Sequence, residues 1–459
     1  DEVRLLREMQ FPEDAGPMAH PVRPDEFIEI RNFYTMTVYE KGAEVIGMME
    51  TLLGATHFRK GCDLFFDRFD GDTATTEDFV QCMEEVSGKD LTQFARWYKY
   101  AGTPEVTIES SYADGTLTLS MTQKTPDTPG QTGKPPFVIP IRTGFVGTDG
   151  QDVREETILL TQDRQEFTFD GFTDKPVLSF LRGFSAPITL ETDMSDADRL
   201  FLMTHDSDGF NRWEMAQKLG LQAILHRLAG GPRDQDYADA LIKAVHALKD
   251  VKKPLLARML TLSEETVIAQ NIKTNVDPIA IADARHTVMQ DIAAQAMDVM
   301  QDLYDSNAGD DIGQHALRQA ALRMMAAVDA GHAVTLAEGQ YHGATTMTER
   351  VGALSILADT DGDARQACFD DFYNRFRDKE LVINKWFALQ AMAKRDSIID
   401  DVMALQQHEA FNLLNPNRLR AVIGAFAIRN PWGFHHPSGR GYTILADTII
   451  ALNGRNDQV

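Results

Sequence analysis

Cysteine is scarce in this chain. Its 459 residues include three, Cys62, Cys82 and Cys368, an odd number spread far apart with no C-x-x-C pair. That spacing offers neither a thiolate metal site nor a redox couple. Three reduced thiols in apolar cores are expected, as in a cytoplasmic protein. No apolar run reaches the roughly 18 residues of a membrane-spanning helix. Positive charge is also in deficit, with 45 basic residues against 69 acidic ones and a formal charge of −24. Such a chain repels phosphate backbones and anionic lipid, so neither nucleic acid nor a membrane surface is an expected partner. No repeat of fixed period is visible. The first residues, Asp1-Glu2-Val3-Arg4, carry no initiating Met and no signal peptide, and the chain reads as an interior piece of a longer one. What is present, 43% hydrophobic and 25% charged residues, suits an ordinary globular protein of roughly two to four domains.

Periodicity divides the chain in three. Residues 1–102 read as helical after an irregular start. Apolar residues recur at helical spacing from Tyr39 to Leu53 and from Phe58 to Phe69. Thr75-Thr76-Glu77-Asp78 forms a capping-box start for a helix over Phe79–Val86, which Gly88 ends. A further helix is expected over Leu91–Tyr100. Alternation then replaces it, at Val106–Ile108 and Thr116–Met121 around a turn at Ala113-Asp114-Gly115. More strands are expected at Val138–Val146, Thr157–Leu160, Glu166–Phe169 and Val177–Phe180. Residues 103–192 thus predict a small antiparallel β-sandwich. From Asp193 to Val459 the pattern is helical, clearest over Ser195–Thr204, Phe210–Leu228, Ala238–Leu248, Ile279–Tyr304 and Gly313–Ala327. Short loops between these helices predict an irregular α-solenoid. The fold class is mainly α and multidomain.

Chemistry is harder to find. The 12 histidines are scattered, and no H-E-x-x-H occurs. The nearest approach, His408-Glu409-Ala410-Phe411-Asn412, would need an amide as its second zinc ligand, a poor donor beside imidazole; it reads as a solvated helix end. His435-His436 reads as a loop. Asp206-Ser207-Asp208-Gly209 and Asp359-Thr360-Asp361-Gly362-Asp363 resemble calcium-loop openings but lack the glycine and glutamate that an EF-hand places further along; they read as turns with Asp caps. No metal ligand set is expected in this chain. Tyr39 alone would read as a half-buried residue with its hydroxyl at water. A phenol with a pKa near 10 is a hydrogen-bond donor at neutral pH and not a base, which suits oxyanion stabilisation. Tyr34 would line a pocket or simply pack, and Glu40 would be solvated or locally paired.

Two stretches point further. Pro17-Met18-Ala19-His20-Pro21-Val22-Arg23-Pro24 is followed by Asn32-Phe33-Tyr34-Thr35-Met36-Thr37-Val38-Tyr39-Glu40-Lys41-Gly42-Ala43-Glu44-Val45-Ile46. Together they resemble the catalytic domain of the zinc aminopeptidases of the bacterial aminopeptidase N type. The resemblance continues in order through Ala95-Arg96-Trp97-Tyr98 with Gly102-Thr103-Pro104, Phe184-Ser185-Ala186-Pro187, Asp277-Pro278-Ile279-Ala280-Ile281-Ala282, and Asn415-Pro416-Asn417-Arg418-Leu419-Arg420 with Gly424-Ala425-Phe426. Collinearity over the whole chain is far more specific than a lone motif.

The resemblance implies a fold and a role for each part. Residues 1–102 would be the C-terminal half of a thermolysin-like catalytic domain, 103–192 the β-sandwich, and 193–459 a helical domain cut short at its end. The function implied is zinc-assisted hydrolysis of N-terminal residues from peptides. Tyr39 matches the family's transition-state tyrosine, Tyr34 an aromatic of the substrate pocket, and Arg420 an arginine facing the peptide channel, with Arg418 its near neighbour. The family's zinc ligands, general-base glutamate and Gly-x-Met-x-Asn loop have no counterpart here. Zinc is therefore expected only in the intact enzyme, and residues 1–102 are expected to show an unusually apolar surface. The competing expectation is a zinc-less relative whose solenoid serves as an interaction scaffold; keeping Tyr34 and Tyr39 argues against it.

Overall fold

The computed structural model describes residues 1–250 and 252–455. The expected helical domain 193–459 includes positions 251 and 456–459, which lie outside the described residues. The chain forms two compact units, Asp1–Met215 and Ala216–Val459.

The first unit opens with a helical stretch, Glu2–Leu5, Leu6–Gln10 and Phe11–Ala15, whose middle segment is a π turn. An irregular segment with a 3-10 turn at Ile30–Phe33 leads to Thr37–Lys41, again a π turn, which runs straight into the helix Gly42–Leu53. Helices Ala55–Phe69 and Thr76–Ser87 follow. The Thr75 hydroxyl accepts from the Asp78 N–H while the Asp78 carboxylate accepts from the Thr75 N–H, and Gly88 closes the helix at φ 67°. The capping signal read from the sequence is thus realised on both sides.

Leu91–Tyr100 differs from expectation. Arg96, Trp97 and Tyr98 donate to the carbonyls three residues back, and only Arg96–Lys99 is helical. The reason lies in the neighbours: the Leu91 N–H is taken by Glu84, and Gln93, Arg96 and Trp97 spend their side chains on carbonyls of residues 136, 138 and 161. Docking on the sheets overrides local propensity.

Seven strands form the sandwich: β1 Glu105–Ala113, β2 Thr116–Lys124, β3 Ile139–Val146, β4 Asp152–Leu160, β5 Arg164–Asp170, β6 Val177–Phe180 and β7 Thr189–Thr192. One sheet has the order β5-β2-β1-β7, the other β4-β3-β6. β1 and β2 are joined through Asp114 and Gly115, both at positive φ, as a tight hairpin requires. β7 was not expected; it adds to β1 in parallel, so the larger sheet is antiparallel except at that edge. Apolar side chains alternate inward, for example Val106 and Ile108 of β1 on the same buried face as Leu117, Leu119 and Met121 of β2. The same buried cluster takes in Val45, Met48, Met49 and Trp97, so residues 1–102 and the sandwich share one core. Exposed apolar residues occur in both units. Nine of the 21 large hydrophobics left exposed among the described residues, Ile28, Met18 and Phe66 among them, lie within 1–102, less than a quarter of the sequence. Seven more lie between Leu381 and Ile450, so the apolar surface expected there does not set residues 1–102 apart.

Helix Asp196–His205 and the start of Gly209–Leu228 complete this unit. Among its described residues every element of the second unit is a helix. The single helix expected over Ile279–Tyr304 is two, Pro278–Ala293 and Met297–Ser306. Gln295 and Ala296 donate to carbonyls three residues back and Ala296 takes φ −138°, so the chain turns at residues that favour helix intrinsically. Gly313–Ala327 lies within Ile312–Val328, capped by Asp311. Cys82 and Cys368 are buried as expected, whereas Cys62 is half-buried. No helix among the described residues is long and apolar enough to cross a membrane.

Candidate active site

Tyr39 sits inside a π turn. Residues five apart on an α-helix point roughly 140° apart, yet Tyr34 and Tyr39 stack with ring centroids 6.1 Å apart and 20° between planes. A bend at Tyr34-Thr35 and the wider turn at Thr37–Lys41 make this possible. The Thr35 hydroxyl caps the turn by accepting from the Val38 N–H at 3.1 Å and lies 2.8 Å from His20 Nε2. Both rings reach solvent, Tyr39 at 57% and Tyr34 at 68% exposure. Isolated π turns inside helices are rare and frequent at functional sites. A core role for Tyr39 is thereby set aside: its ring is presented, not packed.

Next along the helix, Glu44 is pushed up to about 7 by burial, with the carboxylates of Glu2 and Glu40 adding to it. The sign follows from linkage. Below the ordinary value of 4.5 both states are protonated; between 4.5 and about 7 the unfolded chain loses the proton that the folded chain keeps. Stability contributed by Glu44 therefore falls as pH rises through that window and is flat above it. Glu44→Gln is expected to raise the denaturant midpoint of this chain at about pH 8 relative to wild type, and by less at about pH 5; an equal shift at both would contradict the assignment.

Arg420 belongs to the second unit. It is exposed and begins another π turn, Arg420–Gly424, which follows the short helix Pro416–Leu419 capped by Asn415. Its neighbour Arg418 is buried, with its guanidinium 5.1 Å from the centroid of Phe387, and its Nη1 has no hydrogen-bond partner among the described residues. The structure thus brings Tyr34 and Tyr39 together, and holds Arg420 on a separate unit with the same kind of turn.

The other candidates settle as structural. His408 is half-buried and not simply a solvated end: its ring packs between Tyr373, Trp386 and Phe387, and Nδ1 accepts from the Ala410 N–H. His435 and His436 lie in a loop, bonded to Tyr442 and Ser438. Asp208 caps the helix after it, while Asp206 is buried on Arg182. Asp359 accepts from the Lys394 N–H and Asp361 pairs with Arg395. Among the described residues no group of three or more His, Cys, Asp or Glu is placed to hold a metal ion, so the residues present do not fit a zinc centre. Sequence reasoning missed Glu13, Asp14, Thr37 and Lys41, which hold the tyrosine turn in place. Lys41 stood inside the quoted motif, but nothing in the pattern marks a lysine as buried.

Three regions of the chain match known families in order: residues 3–98 the Peptidase family M1 domain, 102–193 a domain of unknown function (DUF3458) with an Ig-like fold, and 196–459 a domain of unknown function (DUF3458_C) of ARM repeats. Aminopeptidase N of Escherichia coli (strain K12) is 39% identical over 482 aligned positions that take in 100% of this chain and 55% of the relative. Aminopeptidase N of Caulobacter vibrioides is 43% identical, covering 99% of this chain and 54% of that protein. The chain belongs to the DUF3458_C family; it also carries the Peptidase family M1 and DUF3458 domains, and its curated homologues are bacterial aminopeptidase N. Among solved structures, that of Legionella pneumophila aminopeptidase A in complex with aspartic acid superposes with a TM-score of 0.85 at 27% identity, over 95% of this chain and 53% of that one. The chain spans about half the length of the curated aminopeptidase N relatives it matches. The mainly helical, multidomain fold with an Ig-like sandwich and an ARM-like helical domain is that of the family.

Proposed function

We propose that this chain is part of a cytoplasmic zinc-dependent aminopeptidase that removes N-terminal residues from peptides. In this reading residues 1–102 are the second half of its catalytic domain, 103–192 its β-sandwich and 193–459 its helical domain. The observation that carries it is the stacked, solvent-facing pair Tyr34–Tyr39 on a π turn, inside the segment that matches the peptidase domain. The chain's own contribution to the chemistry is a neutral phenol. The Tyr39 hydroxyl donates to the oxyanion that forms as the scissile carbonyl is attacked. Tyr34 offers its ring face to the side chain of the N-terminal residue. Arg420, on its own turn, offers a guanidinium to backbone carbonyls or the carboxylate of the peptide. Zinc would polarise that carbonyl and a bound water, but its ligands are not among the residues described.

Two measurements test this. The 459-residue chain, incubated with zinc, is expected to retain no stoichiometric metal and to leave an alanyl reporter intact, because no ligand set is placed among its described residues; tight zinc with turnover would contradict the site assignment. The full-length gene product is expected to cleave the alanyl reporter and to spare its N-acetylated form, since an aminopeptidase needs the free amine. Equal cleavage of both would remove the aminopeptidase reading.

A further inference from the structure

The tyrosine turn is held at both ends by two consecutive acids of one short helix, Phe11–Ala15. At its start, Glu13 Oε1 accepts from the Thr37 N–H at 2.9 Å and from the Thr37 hydroxyl at 2.6 Å, and Gln10 Nε2 donates to that hydroxyl oxygen at 3.2 Å. At its end, Lys41 Nζ donates to Asp14 Oδ2 at 2.7 Å and to the Gly102 carbonyl at 3.0 Å. Asp14 accepts in addition from the Gly102 N–H on Oδ1 at 2.7 Å and from the Thr103 hydroxyl on Oδ2 at 3.1 Å. Lys41 and Asp14 are each 1% exposed. Gly102 takes φ +93°, and a Cβ there would press on Lys134, Thr125 and the Pro126 carbonyl. One carboxylate therefore ties the turn that bears Tyr39 to the two residues leading through Pro104 into β1.

Stability is a weak reason for that arrangement. Taking an ammonium and a carboxylate out of water costs several kcal/mol per ion, and a well-packed apolar pair of the same volume is often equally stable or better. What a fully bonded ion pair supplies instead is a single geometry. Here it fixes the last residue of a five-residue turn while Glu13 fixes the first, leaving Tyr39 between two anchored points. Burial by itself would raise the Asp14 carboxyl, but the Lys41 ammonium and the Gly102 N–H outweigh it and hold Asp14 below the usual carboxylate range. We infer that Lys41 and Asp14, together with Glu13, are positioning residues that hold the Tyr39 hydroxyl where the oxyanion forms, and that they make this position depend on the seating of the β-sandwich. The inference rests on the proposed role of Tyr39.

The test is a double-mutant cycle in the full-length gene product with an alanyl reporter. Lys41→Met is expected to lower kcat about 10- to 100-fold, the scale of a misplacement of roughly 1 Å, with KM near the wild-type value. In the Tyr39→Phe background the same substitution is expected to change kcat by less than about twofold, because the group it positions is already gone. Glu13→Ala, at a half-buried residue, is expected to give the same pattern with a smaller loss, and it carries the cycle if Lys41→Met does not fold. Losses that multiply across the cycle, or a lowered melting temperature with normal kcat, would overturn the inference while leaving Tyr39 in place. Near-normal turnover of Tyr39→Phe alone would overturn the role of Tyr39 and the inference with it.

Discussion

Replacing Tyr39 with phenylalanine in the full-length gene product is expected to lower kcat by about 10²–10³-fold, or about 3–4 kcal/mol of barrier, the usual loss of one oxyanion donor. The substitution keeps the ring, and hence the stacking on Tyr34 at 6.1 Å, and removes only the hydroxyl. If that hydroxyl bonds the developing oxyanion more strongly than the ground-state carbonyl, the loss falls on the transition state. KM is then expected to move little, since the substrate's amine and side chain are held elsewhere. Folding is expected to be unaffected, because the ring is 57% exposed and fills no core space. Kinetics of the single variant with a melting curve decide the matter. Turnover within a few-fold of wild type would take Tyr39 out of the mechanism.

The largest stability effect is expected at Arg182, far from the tyrosines in sequence. Its guanidinium is 1% exposed and donates to Ser179 Oγ at 2.9 Å, to both oxygens of Asp152 at 2.9 and 2.7 Å, to Glu155 at 2.9 Å and to Asp206 at 2.8 Å. It lies across Gly144 of β3, where a Cβ would collide with the guanidinium. Asp206, fully buried at the end of Asp196–His205, also accepts from the Ser179 hydroxyl at 2.5 Å. This network ties the sandwich to the helices that follow it within the first unit. Arg182→Met leaves the Asp206 carboxylate buried without its cation, and breaking such a pair from one side costs about 3–5 kcal/mol. For a unit of this size that is a fall of roughly 6–20 °C in melting temperature. The control is Arg154→Met, whose pair with Glu156 is 41% exposed on both sides and is expected to cost less than about 1 kcal/mol. Equal effects from the two substitutions would show that Arg182 does not hold the unit together.

Where local chemistry decides structure, the sequence was legible. The Thr75–Asp78 capping box and the Asp114-Gly115 hairpin are each specified by residues within a few positions of one another. The alternation that marks β1 and β2 reflects one buried face. Features set by distant partners were not legible. β7 is four residues, Thr189–Thr192, with a single aliphatic side chain, and exists because the open edge of β1 accepts it. The helix expected over Leu91–Tyr100 gave way to contacts with residues 136–161. The same holds at the site. Tyr34, Tyr39 and Arg420 were found through resemblance, since a tyrosine or an arginine at a helix start carries no periodic signal of its own. The π turns beneath them, and the Glu13-Asp14 clamp 24–27 residues away from its partners, depend on tertiary contacts that no short window of sequence contains.

The central claim is that this chain works within a zinc aminopeptidase. The most direct test is metal removal and restoration on the full-length gene product, with metal content and alanyl-reporter turnover followed on the same sample. About one zinc per polypeptide is expected, as in single-metal catalytic sites, with turnover lost on chelation, regained on adding zinc, and metal content unaltered by Tyr39→Phe. A folded product that binds no zinc and cleaves no aminoacyl reporter with zinc in excess would contradict the account and leave the helical solenoid as a binding scaffold.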